Sequence, residues 1–205
     1  APGLMGKAKG ERAMANWDED AITMAVEAAR DLLGPDDDRS HVNALFLAST
    51  TLPFADRLNA GIVAAALTLA PRTFASDVTG CQKAGLTALA QALCMAEGNA
   101  GFRGLVAAAD KRRAKAASTA ELDNGDGAAA MLVGQGDTVA DWIGGATLTA
   151  DFVDHFRGSG EDFDYGWEER WIRDEGFGKL VPPVIARALG SPDAPRRGLN
   201  GRLAP

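Results

Sequence analysis

The sequence has few cysteines, few histidines and no long hydrophobic segment, and each scarcity excludes a class of protein. Its two cysteines, Cys81 and Cys94, are too few for a disulfide scaffold or a zinc cluster. The best apolar run, from Gly61 to Ala70, is about half as long as a bilayer-spanning helix. The first residues lack the apolar core of a secretory signal. We therefore expect a cytoplasmic protein with reduced thiols and no membrane association.

Composition and charge describe an ordinary globular chain. Hydrophobic residues make up 46% and charged residues 24% of the 205 positions, which excludes a disordered or fibrous protein. The 21 basic and 28 acidic side chains give a net charge of −7, which argues against a nucleic-acid partner. The length fits one large domain or two small ones.

Strand-like and helix-like segments alternate along the first two thirds of the chain. Apolar residues at three- and four-residue spacing predict a helix from Asp18 to Leu33, which Gly34 and Pro35 end. Further helices are predicted at 57–69 and 81–97, and strands at 42–48, 73–78, 104–109, 127–133 and 139–149. The alternation predicts an α/β fold with a largely parallel sheet covered by helices.

The character of the chain changes after residue 150. Residues 151–177 carry nine acidic side chains and three arginines, which indicates a long, partly ordered excursion. A helix is predicted at 181–189, with Pro182 and Pro183 in its first turn. We therefore divide the chain into an α/β region at 1–150, an acidic segment with the start of a second half at 151–189, and a frayed tail at 190–205.

The pattern with the clearest chemical meaning is a strand, a tight turn, Cys81 and then a helix. Unpaired N–H groups and the positive end of the dipole at a helix amino terminus stabilise a thiolate, which is the nucleophilic form of cysteine. The small Gly80 leaves room for a carbonyl, and N–H groups at Gly80 and Gln82 are placed to support the turn and an oxyanion. The alternative is that Cys81 is a small buried hydrophobe. Cys94, in an apolar helix, is predicted to be structural.

Two further groups lie where strands are predicted to end or begin. Gly125, Asp126 and Gly127 predict a turn in which glycine allows positive φ. Lys111, Arg112 and Arg113 follow a strand end, where α/β proteins often bind ligands, so they are candidate contacts for a CoA phosphate or an acidic carrier protein. A solvated loop is the alternative for these cations. We predict no metal site, because a lone histidine among carboxylates, as at His155, usually marks a solvated surface.

Several motifs in order resemble the thiolase superfamily, and among its members the condensing enzymes of the ketoacyl-carrier-protein synthase III and hydroxymethylglutaryl-CoA synthase type. The resemblance covers residues 10–189. The motifs are Gly10-Glu11-Arg12, Asn16-Trp17-Asp18-Glu19-Asp20, Ala48-Ser49-Thr50-Thr51, the turn at Cys81, Ala108-Ala109-Asp110, Gly125-Asp126-Gly127-Ala128-Ala129 and Glu168-Glu169-Arg170-Trp171.

The resemblance implies that Cys81 accepts an acyl group from a CoA or carrier-protein thioester and passes it on by carbon–carbon bond formation, with no cofactor besides the CoA substrate. It also implies a homodimer or a partner subunit. The chain resembles only the amino-terminal half, whereas the family takes a catalytic histidine from its second half. Thr50 stands where hydroxymethylglutaryl-CoA synthases place a catalytic glutamate, which favours a thiolase-like or ketoacyl-synthase-like transfer.

Two other functions remain open on the sequence. One is a catalytically incomplete subunit or fragment that acts only with a partner. The other is a cysteine hydrolase outside the superfamily, which would need His41 or His155 beside Cys81.

Overall fold

The structure is a computed structural model that describes residues 11–35 and 38–190. It divides into two compact units, Ala1–Asp137 and Thr138–Pro205. The domain boundaries expected at residues 150 and 189 stay predictions. Most of the tail expected at 190–205 lies outside the described residues.

The first unit is built on a four-stranded mixed sheet, and its mostly parallel character covered by helices confirms the predicted α/β class. Strands β1 (Ala44–Ala48), β2 (Phe74–Val78) and β3 (Arg103–Asp110) are parallel, and β4 (Gly127–Gly134) pairs antiparallel with β3. Their spatial order is β2-β1-β3-β4. All five residues of β1 are buried, because β1 lies inside the sheet and both of its faces are covered.

Helices cover the two faces of this sheet, with α1 (Ala21–Leu33) and α2 (Asn59–Ala66) on one face and α3 (Ala84–Glu97) on the other. Side chains alternate along β1, so Leu45 and Leu47 join the first core and Phe46 joins the second. The short helix α4 (Thr119–Asp123) precedes β4.

Local sequence signals explain how two of these helices begin and pack. Asp20 caps α1 by accepting from the N–H groups of Ile22 and Thr23 at 2.9 Å each. Helix α3 packs against the sheet through one stripe of alanines at four-residue spacing, whose small side chains are all buried: Ala84, Ala88, Ala92 and Ala96.

The second unit contains short elements where the sequence predicts an irregular acidic excursion. Strands β5 (His155–Phe156) and β6 (Tyr165–Gly166) form a small antiparallel hairpin. Helix α5 (Glu169–Trp171), a π-helix (Ile172–Phe177) and α6 (Gly178–Ala188) follow without a break. Within the π-helix, a hydrogen bond from Arg173 lowers the pKa of Asp174 below its ordinary value.

Three predictions of secondary structure are wrong. Residues 139–149 form no strand, and paired glycines interrupt the segment, with Gly144 at φ +149°. The last helix begins at Gly178, so Pro182 and Pro183 lie inside it and not in its first turn. Helix α3 begins at Ala84, and Cys81 therefore precedes the helix by three residues.

Candidate active site

The three parallel strands end at one edge of the sheet, and most of the sequence-predicted site residues follow them there. Ala48 pairs with both Val78 and Ala108, so the segments after β1, β2 and β3 are neighbours. The N–H of Ser49 donates to the carbonyl of Val78 at 3.1 Å, which continues the contact beyond the strands. Thr50, Cys81 and Lys111 follow the ends of these three strands. This edge is where open α/β sheets bind ligands.

Cys81 lies in the turn that joins β2 to α3, and it is exposed. Gly80 precedes it with φ +94°, a conformation that favours glycine over any residue with a Cβ. The N–H of Ala84 donates to the carbonyl of Cys81 at 3.0 Å, so residues 81–84 form a turn that leads into the helix. Cys81 is thus not a buried hydrophobe, and Gln82 beside it is also exposed.

The amino end of α3 presents its N–H groups towards the same turn. In the described part of the chain, no side chain caps this helix end. A helix of 14 residues places the positive end of its dipole there. The turn therefore holds an exposed cysteine between β2 and a helix end that no described side chain caps.

Asp110, at the end of β3, organises the neighbouring segment after β1. Its Oδ1 atom accepts hydrogen bonds from the Ser49 hydroxyl at 3.0 Å, the Thr50 N–H at 2.8 Å, the Thr50 hydroxyl at 3.0 Å and the Thr51 hydroxyl at 2.9 Å. The Thr51 hydroxyl in turn accepts from the N–H of Lys111 at 3.0 Å. Thr50 therefore contributes a hydroxyl that is bonded to the Asp110 carboxylate.

A second carboxylate holds β2 to the start of α2. Asp77 Oδ2 accepts from the backbone N–H and the side-chain amide of Asn59 at 2.9 Å each, and Oδ1 accepts from the N–H of Ala60. Asn59 is buried, and its amide also donates to the carbonyls of Phe54 and Arg57 at 3.0 Å each. Asp77 thus replaces a side-chain cap on α2 and fixes the strand four residues before Cys81.

The basic residues after β3 have different environments. The Lys111 ammonium group donates to the carbonyls of Asn16 and Glu19 at 2.7 and 2.8 Å, so its charge is committed to holding the segment before α1. Arg112 is half-buried and Arg113 is exposed. Lys111 is therefore a clamp between two segments.

The Gly125–Gly127 turn also contacts the segment before α1. The N–H of Asp126 donates to the carbonyl of Ala13 at 2.9 Å, and its carboxylate accepts from the N–H of Ala15 at 3.0 Å. Neither Gly125 nor Gly127 has a positive φ, so the freedom that glycine allows there is not used. The turn is shaped by these two hydrogen bonds.

The histidines and the second cysteine lie away from this arrangement or are engaged elsewhere. His41 is in a 3-10 turn before β1, at the opposite edge of the sheet from Cys81. In the second unit, His155 Nδ1 lies 2.8 Å from Asp154 Oδ1. No group of three histidine, cysteine or carboxylate side chains among residues 11–35 and 38–190 could hold a metal ion. Cys94 is exposed on α3, and its structural role stays a prediction.

An open groove of about 500 Å³ lies between α1 and β4, and no residue of the Cys81 turn lines it.

In the described ranges, no helix is long and apolar enough to span a membrane.

Comparisons with known proteins agree with the resemblance in sequence and in fold. No family model matches the chain. Over 166 residues it is 31% identical to the hydroxymethylglutaryl-CoA synthase of Picrophilus torridus, an alignment that covers 80% of this chain and 47% of that protein. The structure of MvaS in complex with 3-hydroxy-3-methylglutaryl coenzyme A superposes with a TM-score of 0.78 at 23% identity, covering 95% of this chain and 50% of that one. The chain is homologous to thiolase-like condensing enzymes.

This homology is partial in length. A 3-oxoacyl-(acyl-carrier-protein) synthase III superposes with a TM-score of 0.71 at 21% identity, covering 96% of this chain and 67% of that one. The chain spans about half the length of the curated relatives that it matches. The mixed, mostly parallel sheet covered by helices is thus one half of a thiolase-type fold.

Proposed function

We propose that this chain is the nucleophile-bearing half of an acyltransferase, and that Cys81 forms an acyl-cysteine from a CoA or carrier-protein thioester. The observation that carries the proposal is the exposed Cys81 between β2 and the uncapped amino end of α3. Its position in a chain homologous to condensing enzymes supports acyl transfer over other cysteine chemistry. A CoA or carrier-protein thioester is the proposed donor because the similar proteins include a hydroxymethylglutaryl-CoA synthase and a 3-oxoacyl-(acyl-carrier-protein) synthase III.

The proposed step is a transthioesterification. The Cys81 thiolate attacks the thioester carbonyl, a new sulfur–carbon bond forms, and the carbonyl oxygen gains the negative charge of a tetrahedral intermediate. The intermediate collapses by breaking its bond to the sulfur of CoA, which leaves as a thiolate and takes the proton that Cys81 lost. N–H groups at the start of α3 are the candidate donors to the oxyanion.

Carbon–carbon bond formation needs an acid–base group beside the nucleophile, in addition to the cysteine itself. Removal of a positioned acid or base typically slows a reaction by about 10²- to 10⁴-fold. The only histidine in the described part of the first unit, His41, lies at the opposite sheet edge. We therefore assign acyl-cysteine formation to this chain and place the acid–base groups for condensation in the other half that the resemblance implies.

Mass spectrometry after incubation with acetyl-CoA tests this function. We expect one acetyl group on wild-type protein, the same on Cys94→Ser, and none on Cys81→Ser. Cys94 is the matched control because both cysteines are exposed. Equal labelling of the two single variants would mean that modification follows exposure alone and would refute a specific nucleophile.

A second candidate is a subunit that acts only in a complex. Exposed apolar side chains on α3, among them Leu86 with 69% and Met95 with 41% of their surface accessible, favour this candidate. Light scattering of the purified chain separates the possibilities. A homodimer or partner complex agrees with this candidate, whereas a monomer without acyl-cysteine activity would contradict both functions.

A further inference from the structure

Helix α3 has an apolar outer side that the described elements of the first unit leave uncovered. Two helices, α1 and α2, pack on one face of the sheet, whereas α3 packs alone on the other. From Ala84 to Ala96 its sequence carries no charged side chain. A helix that is apolar on all sides is normally buried on all sides, so we expect α3 to have a partner surface.

The exposed residues of α3 form a row directly opposite its buried stripe. The buried alanines repeat every four residues from Ala84, and Leu86, Ala90 and Cys94 repeat with the same spacing two positions later. Each position turns the helix by about 100°, so two positions place this second row on the far side from the sheet. All three residues are exposed, and Leu86 has 69% of its surface accessible. We call these three residues the outer row.

The outer row is complementary to itself when two copies of α3 run antiparallel. With a twofold axis at Ala90, Leu86 of one copy lies opposite Cys94 of the other, a large side chain against a small one. The two Ala90 side chains meet at the axis, where their small size allows the helix axes to approach to about 8 Å. The end that carries Lys83 then lies opposite the end that carries Glu97, so like charges do not face each other.

The uncovered surface continues from α3 onto the sheet. A stable interface buries about 800 Å² on each partner, which is more than one helical row supplies. Phe74 on β2 pairs with Ala44, and Met131 on β4 pairs with Val106. Ala44 and Val106 belong to the core beneath α3, so Phe74 and Met131 lie on the same face of the sheet. They have 52% and 53% of their surface accessible, and they extend the apolar surface to the two outer strands.

We propose that this chain forms a homodimer through α3, with the outer rows of two copies packed antiparallel around a twofold axis at Ala90. The inference rests on the second candidate function, for which it specifies the partner and the surface, and it is independent of acyl-cysteine formation. A second copy is favoured over an unrelated protein because the row matches itself in size and in the sign of its flanking charges. Such a match is what a contact between identical surfaces requires.

Disulfide trapping tests which residues face each other. In a Cys81→Ser background, Leu86→Cys places a thiol opposite the natural Cys94 of the other copy, and mild oxidation should give a covalent dimer. Adding Cys94→Ser should abolish that dimer. Two thiols at position 86 would lie eight positions, about 12 Å, apart along the helices, which is beyond the reach of a disulfide. Leu32→Cys, at an exposed leucine of α1, is the matched control and should not cross-link.

Sedimentation and light scattering over a range of protein concentrations measure the affinity of the full chain. We expect the wild type to dimerise and Leu86→Asp to raise the dissociation constant about tenfold or more, because the substitution removes a large apolar side chain and places a charge in the contact. Leu32→Asp should match the wild type. Circular dichroism checks that both variants are folded.

Other outcomes overturn the inference. A wild type that stays monomeric at every concentration refutes the dimer, and a monomer that instead binds a different polypeptide through α3 refutes the second copy as its partner. A dimer that Leu86→Asp leaves unchanged, or one in which Leu32→Cys cross-links as fast as Leu86→Cys, uses another surface.

The dimer and the acyl-cysteine proposal can fail separately. If the dimer forms as predicted but acetyl-CoA does not label Cys81, acyl-cysteine formation is refuted and this inference stands. If a monomeric wild type is labelled on Cys81, this inference is refuted and acyl-cysteine formation stands.

Discussion

Removing the Asp110 carboxylate is expected to disorder the segment after β1 and to destabilise the first unit. Its Oδ1 atom accepts four hydrogen bonds from Ser49, Thr50 and Thr51. Ser49 is 1% exposed, so its hydroxyl would lose this partner without direct access to water. Thr50 and Thr51 are half-buried, so in the variant water can replace part of the hydrogen bonding that they lose.

These contacts give the size of the effect. A hydrogen bond to a charged group contributes about 1.5–3 kcal/mol, and an unsatisfied buried donor costs about 1–3 kcal/mol. Counting mainly the Ser49 hydroxyl and the Thr50 N–H, we expect Asp110→Ala to lower the free energy of unfolding by about 2–4 kcal/mol. Asp110→Asn keeps an acceptor oxygen and loses only its charge, so its cost is about 1 kcal/mol.

Urea unfolding followed by circular dichroism measures both variants against Asp123→Ala, an exposed carboxylate at the end of α4. The control is expected to stay within about 0.5 kcal/mol of wild type. If Asp110→Ala unfolds at the same urea concentration as the control, the network does not stabilise the site edge and the reasoning is refuted.

Two further substitutions test the supports of the Cys81 turn. Gly80→Ala places a Cβ on a residue with φ +94° and should lower the free energy of unfolding by about 1 kcal/mol, which a lower melting temperature would show. The control is Gly127→Ala, which should melt as wild type because Gly127 has no positive φ and its added Cβ would have no neighbour within 4 Å. Equal melting of the two would contradict the strain at Gly80. Asn59→Ala removes the buried amide that bonds Asp77, Phe54 and Arg57, and should lower the free energy of unfolding by about 2–4 kcal/mol. The exposed Gln91→Ala is its control, and a similar small change in both would show that the amide is dispensable.

The sequence predicts the α/β class well because its signals are local and strong. Buried parallel strands are continuous apolar runs, as at Ala44–Ala48, and periodic apolar residues with an acidic cap identify α1. The direction of β4 depends on its pairing with β3, which no local pattern contains. The predicted strand at 139–149 failed because its apolar residues find no neighbouring strand to pair with.

The site could be predicted only in part. The glycine before Cys81 and the helix after it are local features, whereas the Asp110 network joins residues about 60 positions apart. Each of its members is an ordinary polar residue in the sequence. Only the parallel pairing of β1 with β3 brings Asp110 beside Ser49 and Thr50.

Helix α3 shows why its sequence does not indicate that Cys94 is exposed. Its sequence, AGLTALAQALCMAE, is apolar on nearly every face, so periodicity does not indicate which side meets the sheet. Packing selects the alanine stripe, since the smallest side chains allow the closest approach. Cys94 then falls on the exposed side.

The most direct test of the account is to locate the acyl group after a brief reaction with acetyl-CoA. Trypsin cleaves after Arg72, Lys83 and Arg103, so it places the two cysteines in separate peptides, residues 73–83 and 84–103. The account predicts an acetyl group on the peptide that contains Cys81, removable by hydroxylamine, and an unmodified second peptide. An unmodified Cys81 peptide from folded protein would contradict it.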